Sequence, residues 1–176
     1  MPATKQAKSK PAAKTTTRAA ATPKDDAIAL LTKDHKDVKT LFKKYEKLVK
    51  AEADDAEKKE CAETICQMLT VHAQIEEEIF YPAARESIEE EDLLDEAEVE
   101  HASAKDLIAQ IQSMEPSDDL YDAKVTVLGE YIDHHVKEEE EEMFPKVKKS
   151  KLDTIEVGHQ LMARKEELMG EMTATA

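Results

Sequence analysis

Four of the six histidines in this chain stand in two matched sets, and each set carries a glutamate at helical spacing. Asp34-His35-x3-Lys39-x-Leu41 is repeated as Glu100-His101-x3-Lys105-x-Leu107. A longer match follows each: His72-x3-Glu76-x3-Phe80-Tyr81-Pro82 is mirrored by His135-x3-Glu139-x3-Met143-Phe144-Pro145. Imidazole nitrogen combined with carboxylate oxygen is metal-ligand chemistry. Mixed sets of this kind suit iron, manganese or zinc, whereas calcium and magnesium favour oxygen alone. Four imidazoles and two carboxylates can hold two ions, with either carboxylate able to bridge them. A single His-x3-Glu pair says little in a Glu-rich helix; the weight lies in the doubling.

The elements that must position these groups are helices. Only three glycines in 176 residues, few aromatics and 37% charged residues point to an all-α chain. From residue 25 onward the apolar period is helical throughout. A first helix over 25–51 is capped by Asp25 and aligns Ile28, Leu31, His35, Val38, Phe42, Tyr45 and Val49. A second, over 56–88, aligns Ile65, Leu69, His72, Glu76, Ile79 and Phe80. A third, over 91–114, aligns Leu94, Ala97, His101, Ala104, Ile108 and Ile111. Pro116-Ser117 then breaks and recaps the chain. A fourth, over 118–148, aligns Val125, Leu128, Ile132, His135, Glu139 and Met143. A shorter fifth, over 151–171, aligns Leu152, Ile155, Met162 and Met169. Short connections favour antiparallel neighbours, so the expected architecture is an up-down antiparallel four-helix bundle with an additional C-terminal helix.

All four histidines and both glutamates fall inside these apolar stripes. Residues four apart lie one above the other on a helix, so His72 with Glu76, and His135 with Glu139, aim inward together. Two buried, unpartnered carboxylates would cost several kcal/mol each, a large fraction of a small domain's stability. A bound dication removes that penalty. Within Glu138–Glu142 the stripe selects Glu139 as the inward member and leaves the other four in solvent. Pro82 and Pro145 are expected to bend or end their helices just past the site.

Charge divides the chain further. Residues 1–24 hold Lys5, Lys8, Lys10, Lys14, Arg18 and Lys24 with no acid, against a formal charge of −15 for the whole chain. Rich in Ala, Thr, Lys and Pro, this tail is expected to be disordered, because it cannot bury enough surface to offset its ordering entropy. A basic arm can bind nucleic acid or another polyanion. It carries no aromatic residue to stack on bases, which favours a solubilising role. The organisation is therefore a tail over 1–24, a metal-binding bundle over 25–148 and a C-terminal helix with a short frayed end over 149–176. No apolar run approaches 18 residues and no charged-then-apolar leader opens the chain, so a cytoplasmic protein without membrane contact is expected. Cys61 and Cys66 lie on diverging faces of one helix and are expected as reduced thiols.

Between residues 25 and 148 the chain resembles the hemerythrin-like, or HHE cation-binding, domains. The residues that carry the resemblance are Asp34-His35, His72-x3-Glu76 with Phe80-Tyr81-Pro82, Glu100-His101, and His135-x3-Glu139 with Phe144-Pro145. The resemblance implies a non-haem di-iron centre with two irons per chain, joined by an oxo or hydroxo bridge. By that analogy His35 and His72 ligate one iron, His101 and His135 the other, and Glu76 and Glu139 bridge them. Oxygen-carrying hemerythrins use a fifth histidine in a His-x3-His pair on the third helix. Here the positions four before and four after His101 are Ala97 and Lys105. An open iron position disfavours reversible oxygen carriage and favours redox chemistry or sensing. Four-histidine relatives imply catalase-like peroxide decomposition or oxygen and iron response, with O2 or H2O2 as the small-molecule partner.

His159 sits one turn from Ile155 and Met162 and is a candidate extra ligand; a packed or half-exposed histidine is the plainer reading. His134 points a quarter-turn from His135, toward solvent. Tyr81 and Tyr131 are candidates for hydrogen bonds or one-electron chemistry beside the metals. Two other functions fit parts of the pattern: iron storage without catalysis, and an acidic helical interaction module with a polyanion-binding tail. The second has no use for carboxylates inside apolar stripes.

Overall fold

The computed structural model describes residues 26–175, and among these every regular element is helical. The tail over 1–24 and the expected cap Asp25 lie outside the described residues. Helix α1 spans Ala27–Lys50 and is capped by Asp26, whose side chain accepts from the Ala29 N–H. Helix α2 spans Asp55–Ile75, capped by Asp54. It runs through a π-helical turn at Glu76–Phe80 into the short α3, Tyr81–Arg85. Helix α4 spans Glu91–Gln112. Helix α5 spans Tyr121–Glu138 and continues through a second π turn, Glu139–Met143, into α6, Phe144–Lys149. Helix α7 spans Thr154–Thr175.

Side-chain pairs at both ends of each contact fix the directions. His35 meets His72 and the Leu41 carbonyl meets Cys61, so α1 and α2 are antiparallel. Glu77 with His101 and Lys59 with Glu115 set the α2 course against α4. His101 with His135 and Gln110 with Lys124 do the same for α4 and α5. Lys39 with Asp133 and Tyr45 with Asp122 close the ring between α1 and α5. At Gly129 of α5 the Phe42 ring lies so close that an added Cβ would sit 3.1 Å from it. Helix α7 runs beside α1 in the same direction, tied by Thr154 to Asp26 and by Lys165 to Asp34.

The bundle core divides in two. One apolar cluster joins Ile28, Leu31, Ile75, Phe80 and Leu94 to Leu161 and Leu168 of α7. The other joins Val38, Tyr45, Ile65, Leu69, Ile108, Tyr121, Leu128 and Ile132. The histidines and glutamates form a polar layer between them. The stripes expected on the third and fourth helices are buried throughout. On α7 the buried apolar side chains among the described residues are instead Val157, Leu161 and Leu168, while Met169 is exposed. Two apolar stripes run side by side on that helix, and the fit against α1 and α2 selects the second.

Neither proline ends its helix. A proline has no N–H to give, and its ring collides with the carbonyl four residues back. The π turns relieve both conflicts: the Tyr81 N–H reaches back to the Glu76 carbonyl and the Phe144 N–H to that of Glu139. Pro82 and Pro145 then sit in the first turn of α3 and α6, where a missing N–H costs little. Pro116-Ser117 does break the chain, but Ser117 is not the cap. Asp118 closes the turn by accepting from the Glu115 N–H, and α5 starts after Leu120 without a side-chain cap. Cys61 and Cys66 are both free and buried, and burial pushes the Cys66 thiol up to about 11.

Candidate metal centre

Each π turn begins at a glutamate of the polar layer, and the extra backbone residue lets both the carboxylate and the aromatic beyond it face inward. Glu76 is 0% exposed and Glu139 1%. Glu76 Oε2 lies 3.2 Å from Nε2 of its own His72 and 3.4 Å from that of His101. Glu139 Oε2 lies 3.5 Å from Nε2 of its own His135 and 3.2 Å from that of His35. Either carboxylate thus touches one imidazole from each half of the chain. The Nε2 atoms of His35 and His72 approach to 3.1 Å, as do those of His101 and His135. Donor atoms of His35, His72, Glu76 and Glu139 all lie within 4.8 Å of one another, as do those of Glu76, His101 and His135.

This donor set fits metal. Both Glu76 oxygens and Glu139 Oε2 are buried without a hydrogen-bond donor, an expensive arrangement that cations between the imidazoles would satisfy. Burial alone would push the His72 imidazole down, but the Glu76, Asp34 and Glu139 carboxylates outweigh it and hold it up at about 10. His135 is likewise pushed down by burial and held up at about 9 by Glu139, Glu100 and Glu76. Burial would raise Glu76, yet His72 and His101 keep it well below the usual carboxylate range. Glu76 stays ionised, and dications would replace protons on His72 and His135.

Outside the Nε2 atoms stands a second ring of carboxylates, among them Glu140, which the apolar stripe alone places in solvent. Glu140 accepts from His35 Nδ1 at 2.9 Å, Glu77 from His101 Nδ1 at 3.0 Å and Glu100 from His135 Nδ1 at 2.7 Å. Asp34 makes the loosest contact, 3.5 Å from His72 Nδ1. With these partners, every Nδ1 faces an acid and every Nε2 faces the centre, which is how ligating histidines are oriented. The pattern is two-fold: the acid preceding one histidine serves the next helix, and the acid following each inward glutamate serves the other half. Lys165 of α7 binds Asp34 at 2.5 and 2.6 Å, and Lys105 binds Glu77 at 2.5 and 2.6 Å. The signal was adjacency to the histidines and inward glutamates, hidden by the extra rotation of the π turns.

At one pair of positions the symmetry breaks. Tyr81 and Phe144 occupy equivalent places, each fully packed. Phe144 stacks flat against His35 with centroids 5.8 Å apart. Tyr81 donates to Glu139 Oε1 at 2.9 Å and its oxygen lies 3.2 Å from His101 Nε2. Burial first, then Glu139 and Glu76, raise its phenol well above the ordinary range. Tyr131, by contrast, is 52% exposed and plays no part here. Ala97 is buried in the apolar core and Lys105 is engaged with Glu77, so neither position beside His101 supplies a donor. His159 is half-buried on α7 and stands outside both donor groups. An apolar cavity reaches the centre between Val38, Met68, Leu69, Ile108, Ile132 and Val136, with room for roughly one water-sized molecule.

The model of the hemerythrin HHE cation-binding domain matches residues 26–147. The chain belongs to that family. Its fold is shared with the crystal structure of a hemerythrin HHE cation binding domain-containing protein from Mycobacterium kansasii. The TM-score is 0.68 at 24% identity, over 83% of this chain and 88% of the other. A curated relative, a DNA nickase from Nostoc sp. (strain PCC 7120 / SAG 25.82 / UTEX 2576), is 31% identical over 116 residues. That match covers 65% of this chain and 31% of the relative's length. No helix among the described residues is long and apolar enough to cross a membrane.

Proposed function

We propose that this HHE domain is a non-haem di-iron protein that handles dioxygen or peroxide, in redox chemistry or in sensing. His35 and His72 would hold one iron, His101 and His135 the other, and Glu76 with Glu139 would bridge them. The observation that carries the reading is the reach of each buried carboxylate to imidazoles from both halves. When bound, the pair of irons supplies electrons to, or takes them from, an oxygen species. The chain's own residues do the rest. The apolar cavity admits a small neutral molecule and excludes bulk water. Tyr81 holds a proton at its phenol oxygen beside Glu139, within reach of whatever occupies the centre. Ala97 and Lys105 would add no ligand beside His101, which would leave room there for substrate.

Aerobically purified protein, analysed for iron and then given hydrogen peroxide, tests this. About two irons per chain and release of one O2 for every two H2O2 consumed, with water as the other product, support a peroxide-handling enzyme. The same iron content without turnover moves the reading to sensing or storage. A nucleic-acid role rests on the six basic residues of 1–24 and on the relative named as a DNA nickase. Steeply salt-dependent DNA binding by the full chain, lost on removing 1–24, would favour it.

A further inference from the structure

Taking the buried centre as a metal site, its two halves differ in how they meet solvent. Aligning His72-x3-Glu76 with His135-x3-Glu139 sets Val71 opposite His134 and Ile75 opposite Glu138. In the first half Val71 and Ile75 are buried in the apolar cluster that includes α7 residues. The acid behind His72, Asp34, is 5% exposed and capped by the Lys165 ammonium, which leaves no place for a cation. Among the described residues the second half has no such cover. Glu100, the acid behind His135, is partly exposed and pairs there with no lysine. It faces His134, 62% exposed, whose Nε2 lies 3.6 Å from Glu100 Oε1 and 3.2 Å from Glu138 Oε1.

We propose that Glu100, His134 and Glu138 form an exposed divalent-cation site that passes metal to the buried centre. One imidazole and two carboxylates from two helices offer donor atoms within 4.8 Å of one another, with open positions left for water. Such a set binds a first-row dication without the rigidity that would trap it. The Glu100 carboxylate faces both ways: Oε1 toward His134 and Oε2 onto His135 Nδ1 at 2.7 Å. A cation held there stands one imidazole ring from the centre. Its arrival loosens the Glu100 contact that orients His135, so uptake and opening of that ligand are coupled. The negative body concentrates cations around the site, and the His134 nitrogen distinguishes it from the surrounding carboxylates.

Two measurements on the full chain test this, using His134→Ala and Glu138→Gln, neither of which touches the buried donor set. The iron-loaded protein is titrated with Mn2+ and followed by electron paramagnetic resonance, since manganese binds too weakly to displace iron. The expected result is one Mn2+ site above the diffuse background, weakened about tenfold or more in either variant. The metal-free chain is then loaded anaerobically with Fe2+ and quenched with chelator at intervals. Both variants are expected to load about tenfold more slowly, the lower end of what local counter-ion concentration gives, and to reach the same final iron content. Identical Mn2+ isotherms overturn the site. A lost isotherm with unchanged loading overturns its delivery role. Wild-type protein that takes up no stoichiometric iron overturns the centre, and the delivery role with it, while the same Mn2+ titration run on the metal-free chain and on both variants still decides the surface site.

Discussion

Replacing Tyr81 by Phe removes one oxygen atom at the place where the two halves of the site differ. Phe144 already fills the equivalent position with its ring fully packed, so the substitution needs no repacking. What is lost is the O–H donated to Glu139 Oε1 at 2.9 Å. Glu139 Oε2 has no hydrogen-bond donor, so in metal-free protein the variant leaves a buried carboxylate with none at either oxygen. Hydrogen bonds to charged groups contribute roughly 1.5–3 kcal/mol, which sets the expected loss at about 2 kcal/mol. For a chain of this size that lowers the melting temperature by roughly 4–8 °C. Calorimetry of metal-free and iron-loaded protein measures it, alongside iron content and peroxide turnover. Iron content should be unchanged, because no proposed ligand is altered, while turnover falls if Tyr81 holds the proton the reaction uses. Melting temperatures equal to wild type in both states would refute the hydrogen-bond reasoning. Loss of iron would show that the phenol itself holds metal.

Three further outcomes follow from the same geometry. His72 and His135 are raised from 6.5 to about 10 and about 9, so their contribution to metal-free stability is complete below pH 6.5 and disappears as pH rises through 9 to 10. Melting temperature of metal-free protein should fall across that window, while metal-loaded protein, whose imidazoles have already given up those protons, should stay flat. Asp34→Asn removes the carboxylate that faces His72 Nδ1 at 3.5 Å; iron bound at the His35–His72 side should weaken by roughly 10–100-fold, read by competition with a chelator. Leu161→Ala opens a cavity between α7 and the bundle at a fully buried residue and should cost about 3 kcal/mol in a urea melt.

The helical bundle and its inward donors were legible because burial and chemistry coincide in one period. An apolar stripe interrupted by His35, His72, Glu76, His101, His135 and Glu139 marks polar groups that the fold must bury, and the structure buries all six. The π turns were less visible. Only Pro82 and Pro145, each six residues beyond an inward glutamate, hinted that a regular helix must give way there. Without that extra rotation, Glu140 reads as a solvated acid rather than the partner of His35, and nothing marks Glu77 as the partner of His101. The inward face of α7 was hidden for a different reason: Ile155, Met162 and Met169 form as good a stripe as Val157, Leu161 and Leu168, and only packing against α1 and α2 decides. Asp26 and Asp25 are equally good caps on paper, and backbone geometry selects Asp26 for α1.

In the proposed centre Glu76 and Glu139 would each join two metal ions held by imidazoles from opposite halves. Iron content per chain, measured for wild type, Glu76→Gln and Glu139→Gln with folding checked by circular dichroism, tests it most directly. About two irons are expected in the wild type, with loss of the paired centre in either variant, since each carboxylate reaches imidazoles of both halves. Variants that fold and retain two irons would contradict it.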